Sequence, residues 1–310
     1  MSVRDSWVEF SVAVVPDVVD DLTAGLNKYV GSAFAIEKVC SATEADSFSI
    51  TVRAFVAPGS DQAATCSDLS RAIDCFRLAS EGGVGVLTKS NVHRDEYMSK
   101  WREFYQAIPI GSKLMIVPAW QEEVIESGGR LPVILDPGAA FGTGHHPTTQ
   151  LALKLLEQLM EPGLSVADIG TGSGVLAIAA ARLGASRVIA YDSDQQVGSV
   201  AESNIKRNSV DDLVRLCVPS ERIPRSHCVD LVVANIVASV HVRLMSAYAQ
   251  LVRSGGTVIL SGVLDERLQE VASRAMGYGL KSSRSLSDGD WRAMVFHRGM
   301  EMSSAGEDGS

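Results

Sequence analysis

The sequence predicts a doubly wound α/β domain in its second half, preceded by a small α+β domain. Three observations support this prediction. From residue 131 onward, short apolar strands alternate with amphipathic helices, which is typical of a parallel sheet covered on both faces. A glycine-rich turn at Gly170–Gly174 joins a strand to a helix, as in Rossmann-like folds. Residues 1–90 instead predict the order βαββαβ of a ferredoxin-like sandwich.

The first 90 residues predict six elements. The strands are rich in Val and Phe, and Pro16 with Asp17 marks the start of the first helix. The predicted strands are Trp7–Val15, Ala33–Val39, Ser47–Val56 and Val84–Thr88, and the predicted helices are Pro16–Tyr29 and Asp61–Ala79. Ferredoxin-like domains host many unrelated functions, so we assign no site chemistry to this part of the chain.

Residues 91–130 predict a linker helix and a connecting strand. The segment Asn91–Tyr105 is polar, charged and aromatic, and the Asn91 side chain is of a type that caps helices. Leu114–Val117 predicts a short strand. Gln121–Arg130 predicts a loop, because it contains adjacent glycines.

Residues 131–299 predict the doubly wound domain, and the Ser/Gly/Glu-rich residues 300–310 predict a disordered tail. The predicted strands are Val133–Leu135, Val166–Ile169, Arg187–Tyr191, Leu213–Val218, Asp230–Ala234, Thr257–Gly262 and Trp291–Phe296. The predicted helices begin at Pro147 and Val175 or span Gln195–Asn208, Val240–Val252 and Leu264–Met276, and Ser254–Gly256 predicts a turn. Ligands of such sheets bind beyond the carboxyl ends of the strands, near the switch point of the strand order.

Composition narrows the class of protein. The chain has 310 residues, of which 46% are hydrophobic, and a formal net charge of −9, which argues against a general nucleic-acid-binding surface. The five cysteines form no C-x-x-C pair, which favours reduced thiols in a cytoplasm. We find no signal peptide and no apolar run of membrane-spanning length, so we expect a cytoplasmic protein that does not bind membranes.

The glycine turn is the most specific local signal. Its spacing, Asp168-x-Gly170-x-Gly172-x-Gly174, differs from the G-x-G-x-x-G of dinucleotide folds and from a P-loop. It resembles motif I of the class I methyltransferases, which use S-adenosylmethionine. We therefore regard Asp168 and the three glycines as candidate cofactor-binding residues. A tight strand–helix turn without a ligand is the alternative.

Two polar residues follow predicted strands at the same rim of the sheet. Asp192 follows the strand after the glycine turn, where an acid accepts hydrogen bonds from both ribose hydroxyls in dinucleotide folds. A cap of the next helix is the alternative for Asp192, although Asp194 could serve there. Asn235 follows an apolar strand, where class I enzymes that methylate nitrogen hold the acceptor, although the usual proline pair is absent. A turn residue is the alternative for Asn235.

An amide at position 235 suits a lysine acceptor on physical grounds. A free lysine has a pKa near 10.4, so exposing its lone pair at neutral pH costs about 4–5 kcal/mol. A carboxylate would stabilise the ammonium and add to that cost, whereas a neutral carbonyl oxygen orients the amine without this penalty.

A second glycine-rich loop spans residues 136–149, Asp-Pro-Gly-Ala-Ala-Phe-Gly-Thr-Gly-His-His-Pro-Thr-Thr. Its small and hydroxyl residues predict a segment that covers a ligand. His145 and His146 are adjacent and belong to no larger Cys/His cluster, so we expect no metal site.

The loop, the glycine turn, Asp192 and Ala-Asn235-Ile, in this order, closely resemble the bacterial ribosomal protein L11 methyltransferase family. The resemblance covers about residues 97 to 298 and is weak before residue 90. It implies a small N-terminal recognition domain and a class I catalytic domain that transfers methyl groups from S-adenosylmethionine to lysine ε-amines and an N-terminal α-amine. It further implies that Thr149, Gly170, Asp192 and Asn235 bind the cofactor, that Asn235 lies beside the amine, and that Phe141 and Trp291 lie near the substrate.

The sequence therefore predicts a protein-lysine N-methyltransferase that acts on a large-subunit ribosomal protein. Two alternatives stay open: a methyltransferase of another protein lysine or of RNA, and a non-catalytic module that binds the cofactor.

Overall fold

The structure is a computed structural model of the chain. It describes residues 6–15, 18–19, 22, 25–26, 29, 34–38, 50–56, 58–59, 61–80, 82–93, 106–123, 126–136, 144–217 and 228–299. The chain folds into two compact units, with the main division between Gln106 and Ala107. The boundaries predicted at residues 90 and 130 stay predictions, and the predicted tail, residues 300–310, lies outside the described residues.

The first unit contains a four-stranded antiparallel sheet. Its strands are β1 (Ser6–Val14), β2 (Phe34–Lys38), β3 (Ile50–Val56) and β4 (Thr88–His93), in the order β2-β3-β1-β4. Helical residues occur between β1 and β2, and α1 (Gln62–Ala79) lies between β3 and β4. This is the predicted βαββαβ order. Buried side chains of the sheet, among them Phe10 and Val52, pack against Leu69 and Ile73 of α1.

The last strand of this unit differs from its prediction. The sequence predicts a strand at Val84–Thr88 and a helix that begins at Asn91, but the structure places Asn91 inside β4. Asn91 pairs with Val8 across the sheet, and this pairing along β1 outweighs the local preference of asparagine for a helix cap. The rest of the predicted linker helix, residues 94–105, lies outside the described residues.

The second unit begins with a three-stranded sheet of its own. It consists of β5 (Ile108–Ile110), β6 (Leu114–Pro118) and β7 (Leu131–Leu135), with β6 antiparallel to β5 and parallel to β7. The strand predicted at Leu114–Val117 therefore forms β6 and pairs with the strand predicted at Val133–Leu135.

The large sheet of the second unit has seven strands, which are β8 (Ser165–Ile169), β9 (Arg187–Tyr191), β10 (Val214–Cys217), β11 (Val229–Asn235), β12 (Val252–Leu264), β13 (Leu280–Asp288) and β14 (Trp291–Arg298). Their order is β10-β9-β8-β11-β12-β14-β13. The first five are parallel, and β14 runs antiparallel to both of its neighbours. The strand order reverses between β8 and β11, so this is the switch point at which such folds bind ligands.

Helices cover both faces of this sheet. They are α2 (Pro147–Leu159), α3 (Val175–Arg182), α4 (Gln195–Arg207), α5 (Ala238–Leu251) and α6 (Leu268–Gly277). One apolar cluster contains residues of α2, α3 and α4, and the other contains residues of α5 and α6. Val166 and Ala167, adjacent in β8, belong to different clusters, which explains why the parallel strands are apolar throughout. Among the described residues, no helix combines the length and the hydropathy needed to span a membrane.

Two segments of the large sheet are not as predicted. Ser254–Gly256, a predicted turn, lies within the long strand β12. Leu280–Asp288 is a strand that the sequence analysis did not predict, because most of its side chains are polar and exposed. An edge strand pairs on one side alone and needs little apolar surface, so its sequence carries a weak strand signal.

Candidate cofactor and acceptor site

The glycine turn connects β8 to α3 at the switch point. Gly170, Gly172 and Gly174 have φ values of 79°, 54° and 86°, a left-handed conformation that glycine adopts without strain. A Cβ on Gly170 would lie 2.6 Å from Cγ2 of Ile236, the residue that follows β11. The amides of Gly170 and Thr171 both donate to the carbonyl of Tyr191, at 2.8 and 3.0 Å. The turn therefore lies against the ends of β9 and β11, and a side chain at Gly170 would clash with Ile236.

Asp192 holds the middle of this turn. Its Oδ2 accepts a hydrogen bond from the Gly172 amide at 2.9 Å, and its Oδ1 accepts one from the Asp194 amide at 3.0 Å. The second hydrogen bond orders the loop that leads into α4, which begins at Gln195. Each carboxylate oxygen keeps a further lone pair, so the side chain can still accept from ribose hydroxyls.

Asp168 lies beneath the turn and is fully buried. Its Oδ2 accepts from the Thr171 hydroxyl at 2.7 Å and from the Ala177 amide at 3.0 Å, so it ties β8 to α3. Burial raises its pKa to about 7, and the charge of Asp192 acts in the same direction, against the two hydrogen bonds. Burial therefore favours the protonated form of Asp168 more than it does in an exposed aspartate.

Asn235 ends β11 and contacts the first turn of α2. Its Nδ2 donates to the hydroxyl of the fully buried Thr149 at 3.1 Å, which brings two predicted site residues together. Its Oδ1 is buried and has no hydrogen-bond partner. Among the described residues, the buried side-chain oxygens in this state are this atom and Oδ1 of Asp168. A buried oxygen without a partner is rare in native proteins, and this one keeps its capacity to accept a hydrogen bond.

Ser261 fixes the backbone next to Asn235, and the sequence analysis did not identify it. Its carbonyl accepts from the Ile236 amide at 3.1 Å, and its Oγ donates to the carbonyl of Thr148 at 2.8 Å. Ser261 is paired in register with Asn235, so it connects the end of β11 to the start of α2. The sequence held one signal that could have identified Ser261, which is a serine in an otherwise apolar strand. A buried hydroxyl needs a hydrogen-bond partner, so such a serine is expected to bond to a neighbouring element.

His241 supports the same carbonyl from α5. Its Nε2 lies 2.8 Å from the Ser261 carbonyl, and its Nδ1 lies 3.3 Å from the Tyr248 hydroxyl. Nε2 therefore carries the proton and Nδ1 accepts from Tyr248. Burial lowers the pKa of His241 to about 4, although the carbonyls of Ser261 and Ile236 act in the opposite direction.

Stability at acid pH should depend on His241. In the unfolded chain a histidine binds a proton below about pH 6.5, whereas the native ring stays neutral down to about pH 4. The unfolded chain thus binds more protons between these values, and the free energy of unfolding falls as the pH drops from 6.5 towards 4. At about 1.36 kcal/mol per pKa unit, the loss is of order 3 kcal/mol.

Urea unfolding at pH 7 and pH 4.5 of the wild type and of His241→Gln measures this loss. The raised pKa of Asp168 acts in an overlapping window with opposite sign, because there the native state binds more protons. The difference between the two proteins isolates His241, and the wild type should lose about 2 kcal/mol more than the variant. Equal losses would mean that the buried ring titrates like an ordinary histidine.

The predicted substrate residues are only partly described. Trp291 begins β14, and its ring lies edge-on to the ring of His146, with centroids 5.2 Å apart. His146 caps α2 and accepts a hydrogen bond from the Thr148 amide, and burial lowers its pKa. Trp291 therefore lies at the helix end that carries Thr149. Phe141 lies outside the described residues. In the part of the chain that the structure describes, no three His, Cys, Asp or Glu side chains are placed so that they could hold a metal ion.

The position of α2 is set by Glu157, a buried acid near its other end. The carboxylate accepts hydrogen bonds from the Ser112 amide at 2.7 Å, the Ser112 hydroxyl at 2.9 Å and the Lys113 amide at 2.8 Å, all in the β5–β6 turn. A Cβ on Gly111 would lie 2.5 Å from this carboxylate. The three-stranded sheet thereby anchors the helix that presents Thr149 and His146.

The fold and the site together define a class I S-adenosylmethionine-dependent methyltransferase. The sheet is parallel except for β14, and the glycine turn lies at the switch point beside an acid at the end of β9. The residues fit this cofactor: the turn admits close approach to its backbone, Asp192 keeps acceptor capacity, and Asp168 and Asn235 each have a buried oxygen without a partner.

The chain belongs to the ribosomal protein L11 methyltransferase (PrmA) family, whose model matches residues 6–299. A protein named ribosomal protein L11 methyltransferase from Pelobacter propionicus is 36% identical over 94% of this chain and 97% of its own length. A protein of the same name from Chloroflexus aurantiacus is 31% identical, covering 94% and 98%. The crystal structure of ribosomal protein L11 methylase from Lactobacillus delbrueckii subsp. bulgaricus is 31% identical, with a TM-score of 0.55, over 63% of this chain and 100% of that chain. The predicted family, fold class and cofactor, S-adenosylmethionine, are thereby confirmed.

Proposed function

We propose that this enzyme methylates lysine ε-amines of ribosomal protein L11, and its N-terminal α-amine, in the cytoplasm. The observation that carries the proposal is the buried, unpartnered Oδ1 of Asn235 beside the glycine turn. A carbonyl oxygen in that position can accept a hydrogen bond from an uncharged amine. The names of the relatives support the ribosomal protein as the substrate.

The residues of the turn would hold the cofactor. Asp192 would accept from the ribose hydroxyls while it keeps the Gly172 amide in place, and the backbone of Gly170–Gly174 would lie against the ligand. When bound, S-adenosylmethionine supplies a methyl group on a sulfonium, whose transfer to nitrogen leaves the electron pair on sulfur. No acid is needed for that leaving group.

Asn235 then acts by orientation. The Thr149 hydroxyl and the Ser261 backbone hold the amide with its oxygen free, so an amine N–H can donate to Oδ1 and present its lone pair in one direction. Removing the proton from a lysine at neutral pH costs about 4–5 kcal/mol, and a neutral amide does not add to that cost. Water accepts this proton and the one released after transfer.

Incubation with labelled S-adenosylmethionine tests the proposal. Ribosomal proteins stripped from unmethylated ribosomes should show one labelled band, that of L11, with the label on lysines and the N-terminus by mass spectrometry. We assign recognition of this substrate to the domain predicted over residues 1–90, so a chain without them should bind the cofactor and leave the band unlabelled. Labelled RNA, or a labelled protein other than L11, would contradict the substrate.

A further inference from the structure

Two buried asparagines lie four residues apart at the end of α4, Asn204 within the helix and Asn208 directly after its last residue. Asn204 and Asn208 are both fully buried, and each side chain forms hydrogen bonds to backbone atoms outside the helix. A buried amide is costly unless both its donor and its acceptor are used. Neither residue belongs to the site that the sequence predicts. Their hydrogen bonds show which segments they hold in place.

Asn208 extends the edge of β7. Its Oδ1 accepts from the Ile134 amide at 2.9 Å, and its Nδ2 donates to the Ile134 carbonyl at 2.6 Å and to the Asn204 carbonyl at 2.8 Å. These contacts satisfy the backbone amide and carbonyl of Ile134, as a further strand beside β7 would. They are confined to β7 and α4.

Asn204 makes a different connection. Its Oδ1 accepts from the Asp136 amide at 2.9 Å, the residue at which the second glycine-rich loop begins. Its Nδ2 donates to the Ser173 carbonyl, inside the glycine turn, at 2.9 Å and lies 3.5 Å from the Asp136 carbonyl. One amide therefore joins the end of β7 to the glycine turn.

We propose that Asn204 is a positioning residue for cofactor binding, which sets the Ser173–Gly174 peptide and couples it to the backbone at Asp136. The inference rests on the proposed assignment of the glycine turn as the cofactor site. Gly174 caps α3, so the orientation of this peptide sets the direction of the first free amides of the helix. One amide makes this coupling, because it supplies the donor for one segment and the acceptor for the other.

The matched variants are Asn204→Ala and Asn208→Ala. Each removes a fully buried amide that bonds to three backbone atoms, so both should lower the thermal midpoint by a similar amount. Titration calorimetry with S-adenosylhomocysteine should show at least tenfold weaker binding for Asn204→Ala and a change within threefold for Asn208→Ala. Binding by Asn204→Ala within threefold of the wild type, or equal weakening of both variants, would overturn the proposal.

Gly172→Val separates this inference from the assignment on which it rests. A β-branched residue at φ 54° distorts the turn, so cofactor affinity should fall at least tenfold. If Gly172→Val binds normally, the assignment of the turn has failed. If Gly172→Val loses affinity and Asn204→Ala does not, the role of Asn204 alone is wrong.

Amide hydrogen exchange on the unmodified protein covers the case in which Asn204→Ala does not fold. The Asp136 amide is bound by Asn204 and the Ile134 amide by Asn208, so S-adenosylhomocysteine should slow exchange at Asp136 more than at Ile134. Equal protection at both amides, or none at Asp136, would contradict the coupling.

Discussion

Replacing Asn235 by alanine should lower the turnover number for L11 methylation about a hundredfold and lower the affinity for S-adenosylhomocysteine by a clearly smaller factor. The variant removes the oxygen proposed to orient the amine, and a misplacement of about 1 Å is enough for a loss of this size. The glycine turn and Asp192 are held by other contacts, so the cofactor site should persist. Single-turnover rates and calorimetry measure the two quantities separately.

Asn235→Asp is the matched control, because it keeps the shape and the acceptor oxygen but adds a charge. A carboxylate favours the ammonium form of the acceptor, so kcat/KM should reach its plateau at a pH about one to three units higher than in the wild type. Partial recovery at high pH is expected for Asn235→Asp and not for Asn235→Ala. Equal losses of turnover and cofactor affinity in Asn235→Ala would show that the residue serves binding and not orientation.

Replacing Asp192 by alanine should weaken binding of S-adenosylhomocysteine about thirtyfold or more. The variant removes the acceptor proposed for the ribose hydroxyls and also releases the Gly172 amide, which Asp192 Oδ2 holds at 2.9 Å. Hydrogen bonds to a charged group contribute about 1.5–3 kcal/mol each, and 1.4 kcal/mol corresponds to a factor of ten in affinity. Calorimetry at constant ionic strength measures the change.

Asp194→Ala controls for the loss of one negative charge in the same segment. Asp194 contributes its backbone amide to Asp192 and is exposed, so this variant should bind within threefold of the wild type. If both variants lose affinity alike, the effect comes from local charge or from the start of α4. If Asp192→Ala binds normally, the ribose assignment is wrong.

Much of the fold could be predicted because its signals are local. The apolar strands that end at Ile169 and Asn235 are buried on both faces, and their continuous hydrophobic runs are visible in the sequence. The glycine turn requires left-handed backbone, which accounts for its three glycines. By contrast, the strand that contains Asn91 forms through pairing with the distant β1. The edge strand Leu280–Asp288 forms a hairpin with β14, but its polar, exposed side chains carry a weak strand signal.

The candidate site likewise contains residues that could be predicted from the sequence and residues that could not. Asp192 and Asn235 could be placed on one rim from their positions after strands, because the carboxyl ends of parallel strands meet there. The residues behind them could not be found in this way. Ser261 forms hydrogen bonds to backbone atoms of Thr148 and Ile236, and His241 forms one to the Ser261 carbonyl. Asn204 forms hydrogen bonds to backbone atoms of Asp136 and Ser173.

The sequence by itself determined the class of protein, since the spacing of Asp168 and the three glycines and the order of strands and helices are properties of the chain. Only the tertiary structure decided which oxygens are left without partners at the rim, and which asparagine joins the glycine turn to Asp136. The physical reason is that backbone geometry follows from neighbouring residues, whereas the satisfaction of a buried polar atom depends on groups that are distant in the chain.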